Sequence, residues 1–361
     1  MIKTLQSINH PVYFGPLADS PLQKYLSSAE NKKAKKFILV DEHTLDSCFP
    51  RLIEQVPALK DAEVIEMESG EQNKNIDICI RVWEALAELK ADRQSVFINL
   101  GGGVIGDMGG FIAATFKRGL RFIQIPTTLL AQVDASVGGK VAIDLAGLKN
   151  SVGLFSRPEA VYIDPSFLIT LSKREMLSGF AEMIKHGLIA DVEYWKQLKK
   201  INFAEIFSFY GFIYRSVEIK NAIVTEDPQE KGKRKLLNFG HTIGHAIEAL
   251  SLEGGRKPLT HGEAIAIGMI CESRLSNKEK SLTNDGLEEI VSYLYELYPF
   301  YTIDEMDHHR LIELMRNDKK NNNDSINFTL LSAAGAGVTD CSCTADAIRE
   351  SLRYYSNLRL R

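Results

Sequence analysis

Cysteine is scarce in this sequence, with 5 in 361 residues, and only Cys341 and Cys343 lie close together. A disulfide scaffold needs a denser set and a zinc ribbon needs paired C-x-x-C motifs, so both are excluded. Neither sign of charge dominates, because 43 Lys and Arg stand against 47 Asp and Glu. The formal charge of −4 gives no basic footprint for nucleic acid or an anionic membrane, and neither is expected as a partner.

Long apolar runs are also missing. The least charged window, residues 97–116, holds six glycines and one aspartate, which is typical of a buried strand, a loop and a helix start rather than a membrane span. The first fifteen residues contain no apolar run of signal-peptide type, so a cytoplasmic location is expected. With 45% hydrophobic residues, a chain of this length predicts a globular protein of about two domains.

Hydrophobic periodicity changes along the chain. Apolar runs alternate with helical patterns up to about residue 130, which predicts a parallel sheet covered by helices. The four predicted strands are 37–40, 63–67, 95–100 and 121–125, with an amphipathic helix over 76–89. Beyond residue 170 the predicted elements are helices over 173–190, 203–226, 242–252, 261–278 and 287–297, with one strand over 327–331. The sequence therefore predicts an α/β domain over 1–170 and a mainly helical domain over 171–361.

A glycine-rich loop follows the third predicted strand. Gly101-Gly-Gly-Val-Ile-Gly106 fits G-x-G-x-x-G, whose glycines let a pyrophosphate approach the backbone at a helix N-terminus. The motif alone is weak, because packing also favours glycine in such turns. The acidic residue that the Rossmann pattern requires about 20 residues later is absent, whereas Asp41 ends an earlier strand. The loop therefore predicts a nucleotide site, with structural packing as the alternative.

Three histidines and a glutamate occur within apolar helical patterns. Glu182 and Lys185 are three residues apart, His241 and His245 are four apart, and His261 begins a further predicted helix. Two imidazoles and one carboxylate suit a catalytic Zn²⁺ site, and Co²⁺ is compatible with the same ligands. The alternative is that the histidines are buried and satisfied by carbonyls. Spacing does not decide which two histidines would bind the ion, because His241 and His245 share a helix face.

Taken together, these motifs make the sequence resemble the 3-dehydroquinate synthase family. The similarity spans almost the whole chain and is densest over 101–119, 126–140, 147–150, 182–185, 238–245 and 261–269. It implies an NAD-binding α/β domain, a helical metal-binding domain, an active site in the cleft between them and a homodimer.

The resemblance also implies roles for individual residues. The implied metal ligands are Glu182, His241 and His261. The positions implied for NAD are Asp41, Glu71, Lys74, Gly102, Gly103, Val104, Ile105, Gly106, Asp107, Thr127, Thr128, Lys140, Lys149, Thr170 and Leu171. The residues implied in catalysis are Lys140, Lys149, Asn150, Lys185 and His245. The positions implied for substrate are Asp134, Lys220, Arg234, Asn238, Lys319, Lys320 and Arg118, the last reaching the partner subunit's site.

The implied reaction converts 3-deoxy-D-arabino-heptulosonate 7-phosphate, a phosphorylated carboxylic sugar, into 3-dehydroquinate. NAD and Zn²⁺ or Co²⁺ are the implied cofactors for transient oxidation, phosphate elimination, reduction and aldol closure. One alternative is another sugar phosphate cyclase, which would not need Arg234 and the lysines at 319–320 for a carboxylate. The other is a metal-dependent NAD polyol dehydrogenase, which would not need Lys149, Asn150 and Lys185 to bind a phosphate.

Overall fold

The computed structural model describes residues 2–8, 10–146, 148–203, 209–253, 255–256, 258–316 and 326–360. The chain divides into two compact units. The sheet unit comprises Met1–Ser172 and Phe209–Asn221, and the helical unit comprises Lys173–Ser208 and Ala222–Arg361. The division lies two residues beyond the sequence-based boundary at 170, and the sequence did not predict that 209–221 joins the first unit.

The segment 209–221 joins the sheet unit through aromatic packing. Tyr210 and Tyr214 pack edge-on against Phe14, with ring centroids 5.9 and 5.5 Å apart. Asn221 also donates its side-chain amide to the carbonyl of Gln6 at 3.0 Å. These contacts join residues about two hundred positions apart, so no local sequence pattern predicts them.

In chain order, the strands of the described residues are β1 (Lys3–Ser7), β2 (His10–Phe14), β3 (Lys36–Asp41), β4 (Glu63–Met67), β5 (Val96–Gly101), β6 (Arg121–Pro126), β7 (Lys140–Leu145), β8 (Leu148–Phe155), β9 (Ala160–Ile163), β10 (Ile326–Ala333) and β11 (Ala336–Cys343). All four strands predicted in the first domain are present as β3, β4, β5 and β6. The strand predicted over 327–331 is β10, and its antiparallel partner β11 was not predicted.

Seven strands form the central sheet in the order β1-β2-β9-β6-β5-β3-β4. Every neighbouring pair is parallel except β1 and β2. Because the strands β3, β5 and β6 run side by side, their carboxyl ends meet at one edge, where ligands bind in open α/β sheets. Strands β7 and β8 form a separate antiparallel hairpin.

Both faces of the sheet are buried. On β3, Phe37 and Leu39 belong to one hydrophobic cluster, and Ile38 and Val40 belong to the cluster on the opposite face. A strand buried on both sides has an uninterrupted apolar sequence, which is why its position could be predicted. The parallel α/β class predicted from the sequence is confirmed.

The α-helices of the described residues, again in chain order, are α1 (Leu22–Leu26), α2 (Glu42–Ser47), α3 (Phe49–Gln55), α4 (Ile76–Glu88), α5 (Gly103–Thr115), α6 (Lys173–Ala190), α7 (Val192–Leu198), α8 (Phe209–Glu226), α9 (His241–Ser251), α10 (His261–Glu279), α11 (Asn284–Leu297), α12 (Asp307–Arg316) and α13 (Ala345–Asn357). Helix α8 was predicted to begin at Phe203, which is wrong. Phe203 lies in a turn and packs edge-on against Phe180 at 4.8 Å.

Helix α10 forms the centre of the helical unit, with 14 of its 19 residues buried. Glycines bring other elements unusually close to it. A methyl group added at Gly268 would lie 1.9 Å from the carbonyl oxygen of Gly240, and one added at Gly262 would lie 2.1 Å from that of Ser178. These close approaches fix the start of α9 and the middle of α6 against α10. Among the described residues, no helix is long and apolar enough to span a bilayer.

Candidate active site

The glycine-rich loop forms the turn between β5 and α5. Gly101 ends the strand, Gly102 is the residue before the helix and Gly103 begins it. A methyl group added at Gly102 would lie 3.0 Å from Thr128 Cγ2, so a side chain there would crowd the neighbouring loop. No side chain caps this helix N-terminus, whose first turn is the stretch Gly103–Gly106. Free backbone N–H groups at a helix N-terminus suit an anionic group such as a pyrophosphate.

The threonines after β6 lie beside this turn. The backbone N–H of Thr127 donates to the carbonyl of Gly101 at 3.0 Å, and Thr127 is buried. Thr128 Oγ1 accepts a hydrogen bond from the N–H of Ala131 at 3.2 Å. The structure therefore brings two predicted NAD-binding segments together at one edge of the sheet.

Asp41 has a structural task in this structure. Its carboxylate Oδ1 accepts hydrogen bonds from the N–H and the hydroxyl of Thr44, both at 2.8 Å, and so caps helix α2. The contact with NAD that the resemblance implies for Asp41 would then use its other oxygen, Oδ2. Capping of helix α2 is thus an alternative explanation for the aspartate at the end of β3.

A cluster around Lys74 joins three distant segments of the sheet unit. Lys74 Nζ lies 2.7 Å from Asp107 Oδ2 and 2.6 Å from Asn150 Oδ1. Glu71 Oε1 is 3.8 Å from Lys74 Nζ and 3.9 Å from Lys149 Nζ. Asp107 lies on the first turns of α5, so the cluster adjoins the glycine turn. Five of the residues predicted for NAD binding or catalysis are therefore linked in one cluster.

Electrostatics keep Lys74 charged. Burial opposes its charged form, but the carboxylates of Asp107 and Glu71 outweigh burial and raise the pKa of Lys74. Asn150 has a φ of +50°, a left-handed conformation that asparagine tolerates better than most residues. Its backbone N–H donates to Asp144 Oδ1 at 2.7 Å, so hydrogen bonds hold both the backbone and the side chain of Asn150 near the start of β8.

The other predicted positions of the sheet unit are distributed more widely. Lys220 Nζ pairs with Asp134 Oδ1 at 2.7 Å, whereas Lys140 is exposed at the start of β7. Arg118 follows the far end of α5. At 1.5 Å per helical residue, it lies about 20 Å from the glycine turn of its own chain. Thr170 and Leu171 lie at the end of a short 3₁₀-helix after β9.

In the helical unit, the predicted metal ligands converge. Glu182 Oε1 on α6 lies 3.5 Å from His241 Nε2 on α9 and 3.5 Å from His261 Nε2 on α10. The rings of His241 and His245 are 5.0 Å apart, and those of His245 and His261 are 5.8 Å apart. Lys185 pairs with the other oxygen of Glu182, one helical turn along α6.

The donor atoms at this cluster fit a bound divalent cation. Glu182 Oε1 is buried and has no hydrogen-bond partner among the described residues, although two imidazole nitrogens face it. Burial disfavours the charged carboxyl, but Lys185 and His261 outweigh it and hold the pKa of Glu182 well below its usual range. Burial would lower the pKa of His261, yet Glu248 and Glu182 raise it to about 10. The carboxylates of Glu182 and Glu248 thus stabilise positive charge at His261, whether a proton or a bound metal ion carries it.

The other ring nitrogens of two histidines have acceptors. His241 Nδ1 lies 3.1 Å from the carbonyl oxygen of Phe239, and His261 Nδ1 lies 3.3 Å from Glu248 Oε2. An acceptor at Nδ1 favours the tautomer that leaves Nε2 unprotonated and able to bind a metal. This contact pattern favours the set Glu182, His241 and His261, although His245 also lies within 4.8 Å of the other two histidines.

Arg234 and Asn238 lie on one short 3₁₀-helix, Lys233–Asn238. Arg234 is buried, and one of its Nη atoms donates to the carbonyl of Pro228 at 2.9 Å. Asn238 donates its amide to Glu230 Oε1 at 2.9 Å. Sequence reasoning missed Glu230, which holds Asn238 in place. Lys319 and Lys320, predicted to bind substrate, lie outside the described residues.

Buried carboxylates that the sequence analysis missed support the metal cluster. Glu272 on α10 accepts hydrogen bonds from the N–H groups of Gly240 and Ile243, at 2.6 and 3.1 Å. It therefore caps the N-terminus of helix α9, which begins at His241. Glu263 completes a capping box with Thr260 at the start of α10 and binds Arg174 through both oxygens. The capping box, T-x-x-E, is visible in the sequence. Nothing in the local sequence around Glu272 indicates its role.

Replacing Glu272 with alanine is expected to lower the free energy of unfolding of the helical unit by about 2–4 kcal/mol, because it leaves two buried N–H groups unpaired. Trp195 lies in the helical unit and Trp83 in the sheet unit, so a Trp83→Phe background lets tryptophan fluorescence follow the helical unit alone during urea unfolding. Glu279→Ala, at the exposed end of α10, should change the free energy of unfolding by less than about 0.5 kcal/mol. Equal effects of the two substitutions would contradict the capping role.

The similarity of this chain to known proteins shows which family it belongs to. Residues 64–178 match the model of the N-terminal domain of 3-dehydroquinate synthase, and residues 179–321 match that of its C-terminal domain. The chain belongs to the 3-dehydroquinate synthase family. It is 48% identical over 341 residues to 3-dehydroquinate synthase of Parabacteroides distasonis, covering 93% of this chain and 95% of that one.

Other relatives agree with this family. The 3-dehydroquinate synthase of Thermoanaerobacter pseudethanolicus is 38% identical over 337 residues, which cover 92% of this chain and 93% of that one. Among solved structures, 2-deoxy-scyllo-inosose synthase in complex with carbaglucose-6-phosphate, NAD⁺ and Co²⁺ superposes with a TM-score of 0.82 at 25% identity, covering 98% of this chain and 99% of that one. The 3-dehydroquinate synthase family thus shares its two-domain fold with another sugar phosphate cyclase.

Proposed function

We propose that this protein converts 3-deoxy-D-arabino-heptulosonate 7-phosphate into 3-dehydroquinate and inorganic phosphate. One observation supports this most strongly: the chain is 48% identical to a 3-dehydroquinate synthase over 93% of its length. The convergence of Glu182, His241 and His261 supports the same reaction, because it supplies a metal-binding donor set of the required kind. That the two units contribute to one active site stays a prediction.

Glu182, His241 and His261 are proposed to hold the metal ion. A divalent ion such as Zn²⁺ or Co²⁺ supplies Lewis-acid polarisation of neighbouring substrate hydroxyls when bound. Lys185 pairs with Glu182 Oε2, which keeps the carboxylate ionised and leaves Oε1 directed at the two histidines. His245, on the same face of α9, is proposed to handle a proton at an imidazole nitrogen during the reaction.

The glycine turn and its surroundings are proposed to bind NAD. NAD⁺ supplies a hydride acceptor that returns the hydride within the same turnover. The uncapped N–H groups of α5 bind the pyrophosphate, and Thr127 and Thr128 border it. The predicted contacts of Glu71, Val104 to Gly106, Thr170 and Leu171 with the cofactor remain part of this proposal, as does Asp41 through its second oxygen.

The substrate carries a phosphate and a carboxylate, and the chain offers separate cations for each. Lys140, Lys149, Lys185 and Asn150 are proposed to bind the phosphate, while Lys74 holds Asn150 in place through its side-chain oxygen at 2.6 Å. Arg234 is proposed to bind the carboxylate, because a guanidinium matches a carboxylate in two parallel hydrogen bonds. The proposed substrate contacts also include Lys220, which pairs with Asp134. Asn238, Lys319 and Lys320 complete them.

We further propose that the protein works in the cytoplasm as a homodimer. The five cysteines are all buried free thiols, as is usual in a reducing compartment. Arg118 lies about 20 Å from its own glycine turn, which supports the proposal that it acts at the partner subunit's site. Size-exclusion chromatography with light scattering measures the mass of the assembly directly.

Substrate selection tests the proposed reaction against other sugar phosphate cyclases. Purified protein with Co²⁺ and NAD⁺ is incubated separately with the heptulosonate phosphate, glucose 6-phosphate and sedoheptulose 7-phosphate, and the products are identified by mass spectrometry. We expect 3-dehydroquinate from the first substrate and no cyclic product from the other two, because neither carries a carboxylate for Arg234. Turnover of either sugar phosphate that lacks a carboxylate, at a comparable rate, would contradict the proposal.

A further inference from the structure

Glu248 is a buried carboxylate on α9 whose position relates it to the histidine cluster. It follows His245 by three residues and His241 by seven, so all three lie on one face of the helix. Its Oε2 lies 3.3 Å from Nδ1 of His261, which belongs to a different helix. The side chain of Glu248 is only 7% exposed. A carboxylate that is nearly dry and directed at an imidazole needs an explanation beyond a solvated surface charge.

The two ring nitrogens of His261 face different carboxylates. Nδ1 faces Glu248 Oε2 at 3.3 Å, and Nε2 faces Glu182 Oε1 at 3.5 Å. His241 has an analogous arrangement, but its Nδ1 faces the neutral backbone carbonyl of Phe239. The two proposed ligands therefore differ in the acceptor behind them, a carbonyl for His241 and a charged carboxylate for His261.

We propose that Glu248 is a positioning residue of the metal centre, which accepts a hydrogen bond from Nδ1 of His261 and so presents Nε2 to the ion. This inference rests on the proposed metal site of Glu182, His241 and His261. The hydrogen bond fixes the tautomer and the ring orientation of His261. The negative charge behind the ring makes Nε2 a stronger donor to a cation. Glu248 itself does not touch the ion or the substrate.

The backbone at His261 is held in place by a separate contact. His261 is the first residue of α10, and the next residue, Gly262, donates its N–H to Ser178 Oγ at 3.0 Å. The backbone contacts hold the start of the helix, but they leave rotation of the imidazole about its side-chain bonds unrestricted. The carboxylate of Glu248 provides the contact that selects one rotation.

Metal affinity of the purified protein tests this role without relying on activity. The dissociation constant for Zn²⁺ is measured by competition with a chelating dye for the native sequence, Glu248→Ala, Glu248→Gln and Glu182→Ala. Glu253→Ala and Glu253→Gln are matched controls, because Glu253 is exposed just beyond α9 and pairs with Arg310. Melting of each metal-free variant and the visible absorption spectrum of each Co²⁺-loaded variant complete the set.

Glu248→Ala should weaken Zn²⁺ binding about tenfold to a hundredfold, the usual effect of removing such a partner. It should also change the Co²⁺ spectrum, a response that a purely structural role of Glu248 would not produce. Glu248→Gln, which keeps an acceptor oxygen, should lose less affinity and keep the native spectrum. The Glu253 controls should bind within about twofold of the native protein.

Two results would overturn the inference, and they differ in what else they affect. If Glu182→Ala loses the ion but Glu248→Ala keeps native affinity and spectrum, the positioning role is wrong while the proposed metal site stands. If Glu182→Ala keeps native affinity, the proposed site and the inference built on it both fail. Should Glu248→Ala not fold, Glu248→Gln decides: a loss of Zn²⁺ affinity smaller than that of Glu182→Ala, with a native spectrum, supports the role of Glu248, and native affinity contradicts it.

Discussion

His261→Ala and His241→Ala are each expected to remove the metal ion and to lower turnover by at least about a thousandfold. Metal catalysis supplies several kcal/mol to the transition state, and each 1.36 kcal/mol is a factor of ten in rate. Elemental analysis of the purified variants measures the ion, and a phosphate-release assay measures turnover. These variants are more informative than Glu182→Ala for turnover, because that change also leaves the buried Lys185 without its carboxylate partner.

His245→Ala is the matched control for this prediction. It removes the same chemical group from the same face of α9, with the ring only 5.0 Å from that of His241. We expect it to retain the ion and to lose turnover about tenfold to a hundredfold. Loss of the ion in His245→Ala together with its retention in His241→Ala would show that the ligand assignment is wrong.

Arg234→Ala should lower kcat/KM for the heptulosonate phosphate about thirtyfold to several thousandfold. Removing one partner of a buried charge pair costs about 2–5 kcal/mol, and 1.36 kcal/mol is a factor of ten. Arg234→Lys should rescue little of this loss, because an ammonium cannot make two parallel hydrogen bonds to a carboxylate. Lys235→Ala on the same 3₁₀-helix, whose side chain pairs with Asp340, should stay within about threefold of the native enzyme.

A substrate analogue that lacks the carboxylate separates carboxylate binding from a general structural effect. The native protein should bind the analogue far more weakly than its carboxylate-bearing parent, whereas Arg234→Ala should bind the two almost equally. If Arg234→Ala kept the full preference for the carboxylate, another cation would have to bind that group, and the assignment of Arg234 would be wrong.

The elements that the sequence predicted correctly are those buried on a regular pattern. Strand β3 is buried on both faces, so residues 37–40 form an uninterrupted apolar run. The helix predicted over 173–190 is α6, whose bounds are the same. The sequence did not predict β1, β2, β7, β8, β9 or β11. All of these except β9 lie at a sheet edge or in a hairpin, where polar and half-exposed residues interrupt the pattern. Strand β9 is buried but only four residues long.

The contacts of the candidate site could be predicted only in part. Glutamate and histidine at helical spacing indicated a metal site, but His241 and His245 share a face of α9. The contacts that favour His241, with Glu182 on another helix and with the carbonyl of Phe239, become visible in the folded structure. The cluster of Lys74, Asp107 and Asn150 joins residues separated by up to 76 positions. Such a contact depends on how α5, β8 and the loop before α4 come together, which no local pattern specifies.

A redox-neutral cyclisation differs from a net oxidation in the ratio of released phosphate to accumulated NADH, and this ratio tests the proposed reaction most directly. The native protein is incubated with the heptulosonate phosphate, Co²⁺ and NAD⁺ in small excess over enzyme, while phosphate and absorbance at 340 nm are followed together. We expect one phosphate per substrate consumed, NADH never exceeding the enzyme concentration, and loss of phosphate release in a chelator. Steady formation of one NADH per turnover without phosphate release would contradict the proposed reaction and indicate a dehydrogenase.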